Sequence, residues 1–387
     1  MTDHKSRRSQ DIQPFHVMAL LARARELEAQ GKDIVHMEIG EPDFPTPHTI
    51  INAGLKAIKT GDIHYTPAVG LLALRQAIAG FYRDSYGVEI SAERIVITPG
   101  ASGALLLVLG VLLDPGQEVL LADPGYPCNR NFVRFLEGKI KSISVDAQSN
   151  YQLTPELVEQ HWTDNTRAVL LASPSNPTGT LVSEPHLKAM IEFALKQGGH
   201  AIVDEIYHGL VYEQLASSAL QFNDDVFVIN SFSKYFGMTG WRIGWLVAPE
   251  SYIPEIDKLS QNLFLAAPTT AQYAALAAFT PETRVILDAR RDEFKRRRDF
   301  LLAALRELGF DIPVTPQGAF YLYANCQQFT DDSFHFSQQL LEQAGVAVTP
   351  GLDFGHNKPQ QHLRFAYTTS IERLEEGVRR LKQFLNK

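Results

Sequence analysis

Short apolar runs of strand length alternate with helix-like segments through the middle of the chain. Five of these runs are rich in Val, Ile or Leu, and several end in a cluster of Pro, Gly or Ser: EVLLADP, RAVLLASP, HAIVDEIY, DVFVINSFS and RIGWLVAP. Runs of this kind are typical of strands buried on both faces of a sheet that is joined by helical crossovers. The pattern therefore predicts an α/β fold with a mostly parallel sheet, in which ligands bind at the strand ends.

The two ends of the chain have a different pattern. Apolar positions at helical spacing predict an amphipathic helix in FHVMALLARARELEAQ and a long one from about residue 281 to 308. The segment HLRFAYTTSIERLEEGVRRLKQFL predicts a strand and a closing helix. We interpret both ends as one smaller α+β domain, because 387 residues exceed the usual size of a single core. The predicted divisions are 1–50 for the N-terminal arm and part of the small domain, 51–284 for the large domain, and 285–387 for the C-terminal small domain.

The charge of the chain argues against a nucleic-acid partner. Its 36 basic and 44 acidic residues give a net charge of −8. The longest basic block is KRRR at 295–298, which lies in the long amphipathic segment. We therefore predict that this block is a solvated helix face and that the protein binds no polyanion.

Cysteine content and hydropathy bear on the compartment. Cys128 and Cys326 are the only cysteines, so the sequence predicts no disulfide framework. The N-terminus lacks the apolar region of a secretory signal, and the longest apolar run, ALLLVLGVLL, is about half the length of a membrane-spanning helix. We expect a cytoplasmic protein without a membrane partner.

One lysine has unusual neighbours. Lys234 lies in SFSKYFGMTGWRIGW, among aromatic residues, glycines and serines, with Arg242 as the nearest cation. A lysine held in a dry, crowded place loses its proton easily and becomes a nucleophile. Lys234 is therefore a candidate for covalent chemistry.

Four further segments follow strand-like runs, and each has an ordinary structural explanation when taken alone. Ser102 in VITPGASGA indicates either an anion site at the start of a helix or a plain turn. Asp204 in VDEIY indicates either a carboxylate that binds a buried ligand or a helix cap. Asn176 in SPSNPTG indicates either an amide held rigidly for hydrogen bonds to a ligand or an ordinary turn residue. Tyr126 in DPGYPCN indicates either an aromatic side chain that covers a flat heterocycle or a packed tyrosine.

Together these segments match one ligand, pyridoxal 5'-phosphate (PLP), which has a flat ring, a phosphate, a basic ring nitrogen and an aldehyde. Lys234 would form the Schiff base, and Asp204 would keep the ring nitrogen protonated. Arg242 with Ser231 and Ser233 would hold the phosphate. We predict no metal site, because the twelve histidines form no ligand-spaced pair near a carboxylate cluster.

The segments SFSKYFGMTGWRIGW, SPSNPTG, DEIY, DPGYP and GEPDFPTP, in their order and separation, resemble the class I/II aminotransferases of PLP fold type I. The similarity runs from about residue 14 to the end. It implies a large domain with a mostly parallel seven-stranded sheet between helices, and a smaller α+β domain built from both chain ends. It also implies a homodimer with shared active sites.

The resemblance assigns roles to individual residues. Lys234 resembles the Schiff-base lysine that moves a proton between the substrate Cα and the cofactor, and Asp204 resembles the partner of the ring nitrogen. Asn176 and Tyr207 resemble the pair that bonds the ring 3′ oxygen, and Tyr126 the stacking aromatic. The remaining assignments are the phosphate positions Ala101, Ser102, Ser231, Ser233 and Arg242, the substrate-carboxylate positions Gly40, Asn176 and Arg364, and Tyr65, which would reach the phosphate of the neighbouring subunit.

The sequence differs from part of this family at Ser102. Aspartate-specific bacterial relatives can carry a lysine at this position, which contacts the second carboxylate of the substrate. We expect transfer of an amino group from a neutral or aromatic L-amino acid, or glutamate, to a 2-oxo acid by a ping-pong cycle. Two alternatives remain open, a PLP-dependent carbon–sulfur β-lyase and a non-catalytic PLP-binding sensor domain. Sequence spacing does not separate the transaminase from the lyase, because both use the same electron sink.

Overall fold

The computed structural model describes residues 5–61 and 63–386. In these ranges the helices are α1 (Arg7–Asp11), α2 (His16–Ala29), α3 (His48–Thr60), α4 (Leu72–Tyr86), α5 (Gly100–Leu112), α6 (Pro127–Phe135), α7 (Pro155–His161), α8 (Glu184–Lys196), α9 (Ile253–Leu263), α10 (Thr269–Leu276), α11 (Pro281–Glu307), α12 (Ser333–Gln339) and α13 (Ile371–Leu385). The strands are β1 (Val35–His36), β2 (Ile95–Thr98), β3 (Glu118–Asp123), β4 (Lys139–Ser144), β5 (Thr166–Ala172), β6 (His200–Asp204), β7 (Phe227–Ser231), β8 (Gly244–Val247), β9 (Tyr321–Asn325), β10 (Val346–Ala347), β11 (Thr349–Pro350) and β12 (His362–Ala366).

The largest sheet has seven strands in the order β2-β8-β7-β6-β5-β3-β4. The pairs from β4 to β7 are parallel, and β8 runs antiparallel to both of its neighbours, β2 and β7. The prediction of an α/β fold with a mostly parallel seven-stranded sheet is therefore confirmed. This order brings the ends of β5, β6 and β7, which carry the predicted site residues, to one edge of the sheet.

Both faces of this sheet are covered by helices, as the continuous apolar runs predict. Successive residues of β7 show the alternation: Val228 packs in the core that includes α4, α8 and α10, and Ile229 packs in the core that includes α5, α6 and α9. All five residues of β7 are buried. The strand is therefore held from both sides, and the loop that follows it starts from a rigid base.

The two chain ends meet in a second core. Strand β1 pairs with β10 in parallel, with Val35 opposite Val346, and β9, β12 and β11 form a three-stranded antiparallel sheet. Val35 and Met37 share one buried cluster with side chains from α11, β9, β12 and α13. The division of the chain at residues 50 and 285 stays a prediction.

The long helix α11 departs from the sequence prediction in one respect. Arg297 and Arg298, in the basic block at 295–298, are each only 3% exposed, so the prediction of a solvated face is wrong for these two residues. Arg297 forms an ion pair with Asp43 at 2.8 Å, and Arg298 forms one with Glu213. Glu293 and Asp299 on the same helix also pair with these two arginines, but the distant partners Asp43 and Glu213 are not revealed by the helical pattern alone. No helix in the described ranges is long and apolar enough to cross a bilayer.

Candidate active site

A cavity of about 270 Å³ opens at the carboxyl edge of the large sheet, between this edge and residues of the second core. It is lined by all but one of the predicted site residues: Gly40, Ala101, Ser102, Tyr126, Asn176, Asp204, Tyr207, Ser231, Ser233, Lys234, Arg242 and Arg364. The exception is Tyr65, which is 85% exposed and does not line this cavity. The structure thus brings together residues that are up to 324 positions apart, from Gly40 to Arg364.

Lys234 lies three residues after the end of β7, with its amino group in the cavity. Its Nζ donates a hydrogen bond to the carbonyl oxygen of Gly40 at 2.7 Å. Desolvation by burial, assisted by the charge of Arg364, lowers the pKa of Lys234 from 10.5 to about 8. A pKa of about 8 leaves roughly a tenth of this amine neutral and nucleophilic at pH 7, far more than in an ordinary lysine.

Asp204 is the last residue of β6 and is only 6% exposed. One carboxylate oxygen accepts a hydrogen bond from the backbone N–H of Ile206 at 3.0 Å, so the side chain also caps its own turn. Burial raises the pKa of Asp204 to about 6, which still leaves it ionised at pH 7. A buried carboxylate with one backbone partner favours a cationic or N–H donor in the cavity it lines.

One end of the cavity collects positive charge. Helix α5 begins at Gly100, so the N–H groups of its first turn, which carries Ala101 and Ser102, face the cavity. The Arg242 guanidinium packs against this turn, because a Cβ at Gly100 would lie 2.8 Å from Arg242 Nη2. A helix N-terminus beside a guanidinium favours a bound anion.

Two serine hydroxyls lie at the same end. Ser231 Oγ donates to Ser233 Oγ at 3.0 Å, and the Ser233 N–H donates to Ser231 Oγ at 3.1 Å. Thr239, which the sequence analysis did not single out, also lines this end, and its carbonyl accepts a hydrogen bond from Arg242 at 3.0 Å. Hydroxyl and backbone donors of this kind complete an anion site.

Arg364 lies at the opposite end, on β12, and is 3% exposed. Its guanidinium donates to Asn176 Oδ1 at 2.9 Å, to the carbonyl oxygen of Glu38, and to Thr349 Oγ1 at 3.3 Å. All of these partners are neutral, Nε has no partner, and no carboxylate of the described chain forms an ion pair with Arg364. A buried guanidinium with no carboxylate in contact favours an anionic ligand, although the charge of the buried Asp353 carboxylate also acts on it from a longer distance.

Two aromatic side chains that the sequence analysis missed support Arg364. The Tyr321 ring centroid lies 4.3 Å and the Phe354 ring centroid 4.9 Å from the guanidinium carbon. The Tyr321 hydroxyl also forms a hydrogen bond with the Tyr207 hydroxyl at 2.9 Å. A Cβ at residue 40 would lie only 1.8 Å from the Tyr321 oxygen, so any side chain in place of Gly40 would displace Tyr321. The only sequence signal for Tyr321 was the strand pattern of AFYLYANC. This pattern does not reveal which face of the strand, and so which side chains, point to the cavity.

The remaining lining is mostly apolar. Phe15, Val17 and Met18 come from the start of α2, and they lie in the same cavity as Ile39 and Leu105. The Phe15 ring meets the Tyr126 ring edge to face, with centroids 6.5 Å apart. In the described ranges no group of three or more His, Cys, Asp or Glu side chains is arranged to hold a metal ion.

Comparisons with known proteins identify the family of the chain. Residues 32–381 match the family model for aminotransferase class I and II. The chain is 41% identical, over 99% of its length and 100% of the relative, to the (5-formylfuran-3-yl)methyl phosphate transaminase of Methanocaldococcus jannaschii. It is 35% identical, over 100% of its length and 99% of the relative, to the valine–pyruvate aminotransferase of Mycobacterium tuberculosis.

A solved structure extends the comparison to the fold. The crystal structure of an aminotransferase from Mycobacterium tuberculosis matches with a TM-score of 0.96 and 35% identity, and all of both chains is covered. Members of the family use PLP as their cofactor. The chain therefore belongs to the class I/II PLP-dependent aminotransferases and is an enzyme that transfers amino groups.

Proposed function

We propose that this enzyme binds PLP and moves an amino group between an L-amino acid with an apolar side chain and a 2-oxo acid in a ping-pong cycle. The observation that carries the proposal is the placement of Arg364, a buried cation with no carboxylate in contact, in the same cavity as the Lys234 amine. Arg364 is suited to a substrate carboxylate, and Lys234 to covalent chemistry beside it.

The residues in the cavity fit the cofactor. Arg242, the N-terminus of α5 and the two serines would hold the phosphate, and the Tyr126 ring would cover the heterocycle. Asp204 would accept a hydrogen bond from the protonated ring nitrogen, and Lys234 would bind the aldehyde carbon. Asn176 accepts a hydrogen bond from Arg364 through Oδ1, so its amide N–H groups would be free to donate to the ring 3′ oxygen, and Tyr207 would donate its hydroxyl to the same oxygen. When bound, PLP withdraws electrons from the substrate Cα.

The protein's own groups account for binding and proton movement. Arg364 binds the substrate carboxylate and so fixes Cα on the side of the cavity that carries Lys234. The Gly40 carbonyl orients Nζ of Lys234, which removes and returns the Cα proton once its amine is neutral. Since the pKa of Asp204 is about 6, its carboxylate is ionised at pH 7 and keeps its ring-nitrogen partner protonated.

The lining supports an apolar substrate side chain. Lys234, Arg242 and Arg364 are the cations that line the cavity in the described chain, and each has a role in the scheme above. A second substrate carboxylate would find Ser102 and the apolar group of Phe15, Val17, Met18, Ile39 and Leu105. Burying such a carboxylate unpaired is costly, which favours neutral or aromatic amino acids over dicarboxylic ones.

We further propose that the enzyme is a homodimer with shared active sites. Helix α3 and the segments near it expose apolar side chains that a second copy would cover: Ile51, Leu55, Ile58, Ile63, Leu263 and Leu265. Tyr65 belongs to this exposed region and lies outside its own cavity, so it is available to the phosphate site of the partner. A cytoplasmic location and the absence of a nucleic-acid partner stay predictions.

The test is the visible absorption spectrum of the purified holoenzyme. Single L-amino acids are added, and a 2-oxo acid is then added back. We expect the cofactor band to bleach with leucine or phenylalanine, to respond weakly to aspartate, and to return with the oxo acid. A band that persists with every amino acid would favour the sensor alternative, and pyruvate released without an acceptor would favour the β-lyase.

A further inference from the structure

The first turn of α2 forms the apolar wall of the cavity, yet this helix has no cap of its own. Its N-cap residue is Phe15, whose side chain makes no capping hydrogen bond, and its first turn has no acidic residue. The backbone N–H groups at the start of a helix need acceptors from elsewhere when they are buried. The position of the wall formed by Phe15, Val17 and Met18 therefore depends on a hydrogen-bond acceptor from another part of the chain.

That partner is Asp353, more than 330 residues away in the sequence. The N–H of His16 donates to Asp353 Oδ1 and the N–H of Val17 donates to Asp353 Oδ2, both at 2.9 Å. Asp353 is only 4% exposed and does not line the cavity. A carboxylate that accepts two N–H bonds at a helix N-terminus holds that turn by hydrogen bonding and by its interaction with the helix dipole.

The segment that carries Asp353 also contacts the carboxylate-binding end of the cavity. The ring of the next residue, Phe354, lies 4.9 Å from the Arg364 guanidinium. Arg130, on α6, donates to the carbonyl oxygens of both residues, to Phe354 at 2.7 Å and to Asp353 at 3.1 Å. One short, hydrogen-bonded segment thus links the apolar wall to Arg364.

We propose that Asp353 is a positioning residue for substrate specificity, which holds the first turn of α2 at a set distance from Arg364. An amino acid whose carboxylate lies on Arg364 then places its side chain against Phe15, Val17 and Met18. The wall selects side chains by the apolar area they bury there, and alanine uses it least. This inference rests on the proposed function, since it takes Arg364 as the carboxylate site.

The rest of α2 is anchored independently of Asp353. Leu20, Ala24 and Leu27 are buried in a cluster with Ile34, Leu341 and Ala347. Loss of the Asp353 carboxylate should therefore loosen the first turn and leave the helix docked. The variant Asp353→Asn keeps the shape of the side chain and removes its charge, which makes it the suitable probe.

The experiment follows the half-reaction of the holoenzyme with alanine, leucine and phenylalanine, read from the cofactor absorbance without an oxo acid. For Asp353→Asn we expect the rate constant divided by the apparent dissociation constant to fall about tenfold for leucine and phenylalanine, and less than about twofold for alanine. Amide hydrogen exchange at residues 15–18 should be faster than in the wild type. Val17→Ala, which shortens the wall and leaves Asp353 intact, should reproduce the loss that depends on the substrate side chain.

Thr154→Ala is the matched control. Thr154 caps α7 by accepting a hydrogen bond from the Leu157 N–H at 3.3 Å, and it does not line the cavity. Its removal should change none of the three half-reactions. Equal losses of Asp353→Asn on alanine and leucine, or unchanged exchange at residues 15–18, would overturn the inference. A wild-type enzyme that responds to no amino acid would contradict the proposed function instead, and the exchange data would still decide whether Asp353 fixes the turn.

Discussion

The two arginines of the cavity, Arg364 at one end and Arg242 at the other, have different surroundings. Arg364 is 3% exposed and donates to Asn176 Oδ1, the backbone carbonyl oxygen of Glu38 and Thr349 Oγ1. Arg242 is exposed and lies against the first turn of α5. In the ranges that the structure describes, neither arginine forms an ion pair with a carboxylate.

This difference shows how strongly each arginine requires an anion. Water solvates an exposed guanidinium, so Arg242 indicates an anion site only together with the α5 N-terminus. A buried guanidinium has no such alternative, so Arg364 by itself favours a ligand that carries negative charge. We therefore expect substitutions at Arg364 to affect substrate binding more than substitutions at Arg242 affect cofactor binding.

The largest effect is expected for Arg364→Lys. A lysine cannot form the two-pronged contact with a carboxylate, and it loses the flat face that lies against Tyr321 and Phe354. The apparent KM for the amino acid should rise about 10- to 100-fold, which corresponds to the loss of a charged hydrogen bond, while PLP retention stays unchanged. Steady-state kinetics and the absorbance of the dialysed protein measure the two quantities.

Arg75→Lys is a suitable control for that substitution. Arg75 is also buried, at 7% exposure, but it donates to the Ala92 carbonyl and lies outside the cavity. Its replacement should leave the KM unchanged. If Arg364→Lys keeps the wild-type KM and only lowers the melting temperature, Arg364 is a structural residue.

A smaller effect is expected for Arg242→Gln, because the α5 N-terminus, Ser231 and Ser233 remain to bind the anion. The dissociation constant for PLP should rise about tenfold, as expected for one exposed charged contact. The KM for the amino acid, measured at saturating PLP, should not change. Titration of the apoprotein with PLP provides the measurement, and a variant that keeps PLP but loses amino-acid binding would reverse the assignment of the two arginines.

The two ends of the cavity also differ in how far they were predictable from the sequence. Asp204, Ser231 and Lys234 lie at or just after the ends of β6 and β7, so a local pattern of apolar strand followed by polar residues located them. The large sheet was predictable for the same reason, since each of its central strands is a continuous apolar run.

The opposite end of the cavity depends on long-range pairing. Thr349 reaches Arg364 because β11 pairs with β12, with these two residues opposite each other, and Tyr321 is placed by the pairing of β9 with β12. Asp353 caps a helix more than 330 residues away. No pattern within one segment contains this information, which is why the sequence analysis identified Arg364 by resemblance and missed its neighbours.

The proposed function depends above all on a covalent bond between Lys234 and the cofactor. The most direct test is to incubate the protein with PLP, reduce it with borohydride, and map the modified lysine by mass spectrometry of its peptides, beside the variant Lys234→Ala. We predict that the reduced cofactor is found on the peptide containing Lys234, and that the variant carries none. A label on a different lysine, or equal labelling of the Lys234→Ala variant, would show that Lys234 is not the residue that binds PLP.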